Sequence, residues 1–170
     1  MPGTYLTPKA YNRRWWIDIG ESDSPEWAEL AKGISSRGNS ISEQSQDYYD
    51  MAGRGVAESE VTGVTVSRTW SGWRVIGDKA QDHIMKRLYD LDKRKVKFLE
   101  CYDNMSAAAE NGHQGEAVLT ITDDGSGDAG NRENISFGLK IIGTPTPGTV
   151  TIAENVPTFK PTAAAASSGG

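Results

Sequence analysis

Residues 61–91 read VTGVTVSRTWSGWRVIGDKAQDHIMKRLYDL, and two different periodicities meet within them. Over 61–70 Val64 and Val66 alternate with polar neighbours, and Trp73 and Val75 continue the pattern of a half-buried strand. After Gly77 the period changes. Asp78 followed three residues later by Gln81 is a capping-box pattern, in which the two side chains satisfy the first free backbone N–H groups reciprocally. Ala80, Ile84, Leu88 and Leu91 then recur at helical spacing. Lys86, Arg87, Lys93 and Arg94 gather towards the C-terminal end, where the helix dipole favours cations. The spacing predicts a helix over 79–92 whose apolar row packs on a sheet.

Working outward, RRWWIDI at 13–19 is aromatic and branched, a first strand, and residues 1–12 with Pro2, Gly3 and Pro8 read as an extended arm. Trp27, Leu30 and Ile34 mark a short apolar patch of no clear period. From Ser35 to Glu60 the chain is rich in Ser, Gly, Asn, Gln and acids, which reads as a polar strand over 34–45 and a long loop over 46–60. Downstream, KVKFLECY at 95–102 is apolar on both faces, as in a strand covered on both sides. EAVLTIT at 116–122 and NISFGLKII at 134–142 alternate, joined by the turn-rich DDGSGDAGNRE. TPTPG at 144–148 predicts another turn into a short strand over 149–153, and residues 154–170, ending in PTAAAASSGG, a flexible tail. No internal repeat is present. The expectation is one mainly β domain over 13–153, a sandwich or barrel-forming sheet flanked by one helix.

Composition bounds the function. With 170 residues, 36% of them hydrophobic and 24% charged, the chain can bury a core and is neither collagen-like nor wholly disordered. Its 18 basic and 23 acidic residues leave a net charge of −5, which argues against gripping nucleic acid by phosphate neutralisation. The charge is uneven: −4 over 1–60, +4 over 61–100 and −5 over 101–170. Complementary patches of this kind can steer one copy onto the next. A single cysteine, Cys101, permits no intrachain disulfide and no Cys-based zinc site. No stretch is apolar enough to span a bilayer, and Arg13-Arg14-Trp15-Trp16-Ile17 runs straight into Asp18, unlike an export signal. A soluble protein of a reducing compartment is expected, with no membrane partner.

Motifs that invite chemistry fail on context. Gly125, Gly127 and Gly130 fit G-x-G-x-x-G, but a strand follows where a dinucleotide site needs a helix. Asp123, Asp124 and Asp128 lack the spacing and terminal Glu of a calcium loop. His83 and His113 have no partner at metal-ligand spacing, and Cys101 in a strand reads as a packed apolar group. No G-x-S-x-G occurs, and the sequons at Asn104 and Asn134 mean nothing without export. Five tryptophans (Trp15, Trp16, Trp27, Trp70, Trp73) read as core or interface anchors ahead of a sugar-stacking platform. No catalytic constellation, metal set or cofactor motif remains, so a non-enzyme without cofactors is expected.

The order of the pieces carries a resemblance. A first strand, the polar arm SISEQSQDYYDMAGRG (40–55), the alternating strand leading through Gly77-Asp78 into Lys79-Ala80-Gln81-Asp82, and the acidic hairpin before ISFGLKIIGTPTPGTV (135–150) are similar to the tail tube (major tail) proteins of long-tailed bacteriophages. The likeness covers roughly 13–153. It implies a β-sandwich flanked by one helix, assembled into hexameric rings that stack as a tail tube, the conduit for DNA ejection. DNA would pass without specific binding, and an acidic wall would let the duplex slide. Further implied partners are tape measure and tail terminator or tail tip proteins, in a virion tail assembled in the host bacterial cytoplasm. Strands near 34–45, 61–70, 116–122 and 134–142 would build the inner barrel, with Glu116, Thr120, Thr122, Ser136 and Lys140 facing the lumen. Ala80, Ile84, Leu88 and Leu91 would pack the helix on the outer side of the sheet. The 46–60 loop would reach the next ring, its acids Glu43, Asp47, Asp50, Glu58 and Glu60 meeting a basic cluster of Arg87, Lys93, Arg94, Lys95 and Lys97 on another copy. The tube protein of a contractile injection system shares this fold. A monomeric carbohydrate-binding β-sandwich is the alternative from another class.

Overall fold

The computed structural model describes residues 7–104 and 110–162. A 3₁₀ turn at Ala10–Asn12 leads into β1 (Arg13–Asp18), β2 (Trp27–Glu29), β3 (Ile34–Tyr48) and β4 (Glu58–Trp73). The helix α1 (Lys79–Met85) and a 3₁₀ turn at Leu91–Lys93 follow, then β5 (Lys95–Tyr102), β6 (Gly112–Ser126), β7 (Asn134–Ala153) and β8 (Val156–Pro161). All strands join one antiparallel sheet in the order β2-β1-β5-β6-β7-β4-β3, with β8 paired to β7. This is the mainly β, one-helix architecture expected from the sequence.

The sheet curls around an aromatic core. Trp15 meets Trp70 edge-on at 5.3 Å between ring centroids and stacks on Phe98 at 5.5 Å, while Trp70 stacks on Phe137 at 5.8 Å. Ile17, Ala117, Leu119, Ile135 and Leu139 fill in around them, and Ala80 and Ile84 of α1 close one side. A second, smaller cluster of Trp16, Leu99, Cys101 and Val150 lies on the opposite face of β1 and β5. β5 is therefore covered on both sides along its C-terminal half, as its doubly apolar sequence predicts.

Five expectations are corrected. The helix ends at Met85 rather than 92. Arg87 and Leu88 already donate to carbonyls three residues back, and the Arg94 guanidinium takes the Leu88 carbonyl at 2.6 Å. Ala80 and Ile84 are buried and Leu88 is half-buried, but Leu91, past the break, is 72% exposed and leaves the core face. Half of the capping box forms: the Asp78 carboxylate accepts from Gln81 N–H at 2.9 Å. The Gln81 side chain turns away, accepting from Val75 N–H at 2.8 Å and donating to the Lys32 carbonyl at 2.7 Å.

The 46–60 loop shrinks to residues 49–57, because β3 and β4 pair from Ile34↔Gly72 out to Tyr48↔Glu58 as one long hairpin. TPTPG does not turn the chain round. Residues 143–145 bulge opposite the single Gly115, the pairing resuming at Gln114↔Thr146, and a bulge is where a strand tolerates proline. β7 bends there and crosses the back of β1 and β5, where the Asn111 side chain clips it by donating to the Val150 carbonyl at 3.0 Å and accepting from Val150 N–H at 2.7 Å. Finally, the tail expected from 154 onward is β8 over Val156–Pro161, a hairpin partner of β7 that seats Phe159 on the second cluster. Residues 1–6 of the expected arm and most of PTAAAASSGG lie outside the described residues.

Candidate functional site

Cross-strand partners in an antiparallel sheet share a face, so register alone assembles a surface. Thr120 faces Gly138, Gly138 faces Thr69, and Thr69 faces Gly38, one row across β6, β7, β4 and β3. The rows on either side are Val118, Lys140, Ser67, Ser40 and, past an irregularity, Ser136, Ser71, Ser36. This is the face away from the aromatic core. It is a belt of hydroxyls and glycines, and the glycines are sterically required. A Cβ on Gly138 would lie 2.7 Å from Thr120 Oγ1 and 2.8 Å from the Arg68 carbonyl, and one on Gly38 would lie 2.8 Å from Thr69 Oγ1. Small residues let the threonines lie flat across their neighbours, which keeps the face smooth.

Of the five residues expected on a wet face, Glu116, Thr120, Ser136 and Lys140 fall in its rows; Thr122 sits at the irregularity of β6, where Asp123 is the partner of Ser136, and donates its hydroxyl to the Ser136 carbonyl at 3.2 Å. Sequence reading placed strands near 34–45 and 61–70 beside these but named no face residues on them; register supplies Ser36, Ser40, Ser67, Thr69 and Ser71. An acidic wall is not what forms. Over the body of the sheet Glu116 stands against Lys95, Lys97 and Lys140, and Lys95 pairs with Glu116 at 2.7 Å.

The basic cluster accordingly comes apart. Lys95 and Lys97 lie on the hydroxyl face. Arg87 donates to the His83 carbonyl at 3.1 Å and the Lys93 carbonyl at 2.8 Å, and Arg94 to the carbonyls of Arg87 and Leu88, so both arginines cap the end of α1. Lys93 reaches Asp90 at 3.5 Å. Of the five acids, Glu43, Asp47, Glu58 and Glu60 are on strands of the hairpin arm and only Asp50 is in its loop.

The two sides of the hydroxyl-faced strands are open. β3 ends the sheet order. β5 accompanies β6 only as far as Lys95↔Val118, with Leu119 N–H donating to the Arg94 carbonyl at 2.8 Å, so Thr120–Ser126 has no strand on the side away from β7 among the described residues. With two strands, β7 and β4, between them and every pairing antiparallel, β3 and β6 run in opposite directions.

Groups that could act chemically are poorly placed for it. Burial pushes the Cys101 thiol up to about 11 and the His83 imidazole down to about 4, the latter helped by Arg87. Among the described residues no three His, Cys, Asp or Glu side chains are grouped to hold a metal ion, and no helix is long and apolar enough to cross a membrane.

No protein-family model matches the sequence, and no curated protein matches it. Solved structures do match its fold. The tail of an empty gene transfer agent particle, refined with helical C6 symmetry, superposes with a TM-score of 0.61 at 14% identity, over 83% of this chain and 98% of that one. The SPP1 tail tube gives 0.60 at 15% identity, over 79% and 76%. The tube-terminating cap of the anti-feeding prophage gives 0.51 at 14% identity, over 95% of both chains. At these identities it is architecture that is shared, and the chain has the tail tube fold.

Proposed function

We propose that this chain is a tail tube subunit, a structural protein whose copies close into hexameric rings and stack into the tail tube of a phage-like particle, through which DNA is ejected. The observation that carries it is the hydroxyl face bounded by two open edges of opposite direction. An exposed strand edge is a hazard for a protein that stays alone, and ring closure removes it. With four strands per copy, β6 of one copy meets β3 of the next antiparallel, so a continuous barrel repeats with no change of pairing type. The core, α1 and the second cluster then face outward, and the Ser, Thr and Gly belt faces the channel. Such a wall suits a conduit. It wets readily and sets its lysines against carboxylates rather than gathering one sign of charge, so the duplex can slide along it. Tape measure, terminator and tip proteins are the partners such a tube requires, in a virion tail put together in the bacterial cytoplasm.

Electron microscopy of the purified protein tests this reading. Hollow tubes built of six-fold rings are expected at high protein concentration. A protein that stays an ~18 kDa monomer at every concentration and salt would overturn it, and single rings that never lengthen would point instead to a tube-terminating cap.

A further inference from the structure

β4 and β7 pair from Trp73↔Asn134 to Ser67↔Lys140 and then part, β4 running out into the hairpin arm beside β3 while β7 stays with β6 and bends. A groove of about 710 Å³ fills the fork, with Val64 and Val66 on one wall and Ile141 and Pro145 on the other. Its floor is the end of the aromatic core. Trp15 and Arg13 come from β1, Glu100 from β5 opposite Trp15, and Arg68 from β4 where the fork opens. A groove of this size, apolar with a few fixed polar groups, has the dimensions and lining of a small-molecule site.

The carboxylate on this floor is already matched. Arg13 Nε donates to one Glu100 oxygen at 2.6 Å, and His113 Nδ1 lies 3.3 Å from the other. Two donors are left over. Arg68 Nε and Trp15 Nε1 are both shut off from water with no hydrogen-bond partner among the described residues, and Trp15 is 2% exposed. The two side chains are neighbours, the Arg68 guanidinium lying 6.0 Å from the centroid of the Trp15 ring and that of Arg13 5.4 Å from it. A buried donor without an acceptor is costly, and an oxygen supplied from outside removes the cost. Burial first, and then the like charge of Arg13, hold the Arg68 guanidinium below its ordinary range, as expected of a cation that lacks a counterion. Arg13 and Arg68 against Glu100 leave one formal positive charge, which a monoanion balances.

We infer that this groove binds a small organic acid, whose carboxylate accepts from Arg68 and Trp15 beside Arg13 and whose hydrocarbon body lies between Val66 and Ile141. An inorganic oxyanion shares the headgroup chemistry but would leave the four apolar wall residues in water, so the walls select a ligand with an apolar part. The occupant joins the base of the hairpin arm to the β7 bend across the fork. The site needs only the folded subunit and therefore stands apart from the tube reading.

Calorimetric titration of the whole chain, kept as dissociated subunits, with octanoate tests it. Octanoate is expected to bind with a Kd of roughly 0.1–1 mM, an ordinary affinity for about ten non-hydrogen atoms. Octanol, which keeps the chain and loses the charge, and inorganic phosphate, which keeps charge and loses the chain, should each bind at least about tenfold more weakly. Arg68→Leu removes the unmatched cation and should weaken octanoate by about tenfold or more. Val64→Glu, at a wall position 56% exposed where folding is not at stake, sets a like charge at the rim and should weaken it by a similar factor. No octanoate binding up to about 10 mM would overturn the inference. So would octanol or phosphate binding as tightly as octanoate, or affinity unmoved by the variants. Should Arg68→Leu not fold, Val64→Glu alone decides.

Discussion

Trp70→Ala is expected to cost about 3–5 kcal/mol, the loss found when a large buried aromatic is truncated and the site collapses only in part. Trp70 is 2% exposed and its ring meets both Trp15 and Phe137, so it ties β4 to β1 and β7. Against a total of roughly 5–15 kcal/mol such a loss can take a third or more of the stability. For a domain of this size it corresponds to a fall in Tm of roughly 6–20 °C. The effect extends to assembly. β4 carries the hairpin arm and the central Ser67-Thr69-Ser71 row, so a loosened β4 lets both drift. Calorimetry of the variant checks the magnitude, and a shift in Tm under about 3 °C would show that the aromatic cluster is not the support assigned to it.

Gly72→Ala should be nearly as severe for a different reason. A Cβ at this position would fall 1.9 Å from the Gly33 carbonyl oxygen and 2.9 Å from Ile34 Cα, all backbone that cannot rotate away. Gly33 itself sits at φ +78° and accepts Trp73 N–H at 2.8 Å, so the root of the hairpin is pinned where the two glycines touch. Overpacking commonly costs 1–3 kcal/mol, and a clash of backbone with backbone belongs at about 3 kcal/mol or above. Denaturant unfolding should show a lower midpoint at an unchanged slope. A variant as stable as the parent would mean that the hairpin root is slack.

What the sequence discloses and what it hides follow from burial. β5 matched its expected bounds of 95–102 because its apolar residues are buried. β1 was legible through RRWWID for the same reason. The outer ends of β3 and β4, 46–48 and 58–60, were read as loop, since both of their faces are exposed and a strand wet on both sides leaves no alternation of apolar and polar residues to read. Pro145 and Pro147 suggested a reversal where the chain only bulges, because the pairing with β6 that tolerates them is set by residues thirty positions away. The helix was overdrawn by about two turns, as Leu88 and Leu91 kept the period while Arg94 pulled the chain into the sheet. The wet face was found on β6 and β7, where polar residues alternate with a strong apolar row. On β3 and β4, where the apolar row is weak, the strands were placed in the barrel but their face residues went unnamed. The grouping of Arg13, Arg37 and Arg68 could not be seen, because Arg37 and Arg68 meet through the register of β3 and β4, and the curl of the sheet brings in Arg13, whose carbonyl accepts from Arg37 at 2.7 Å.

The central claim is that the hydroxyl belt faces a channel once copies assemble, and the protein offers a clean way to test it. Its one native thiol, Cys101, is buried and held protonated, so an introduced cysteine reports alone. Thr69→Cys places a thiol in the centre of the belt, and Tyr89→Cys places one beyond α1 on the core side of the sheet, at a site 91% exposed. Reaction with a bulky polymer-linked maleimide should label both variants as dissociated subunits. In assembled tubes Thr69→Cys should become protected while Tyr89→Cys still reacts. A Thr69→Cys thiol that labels as fast in tubes as in free subunits would contradict the account.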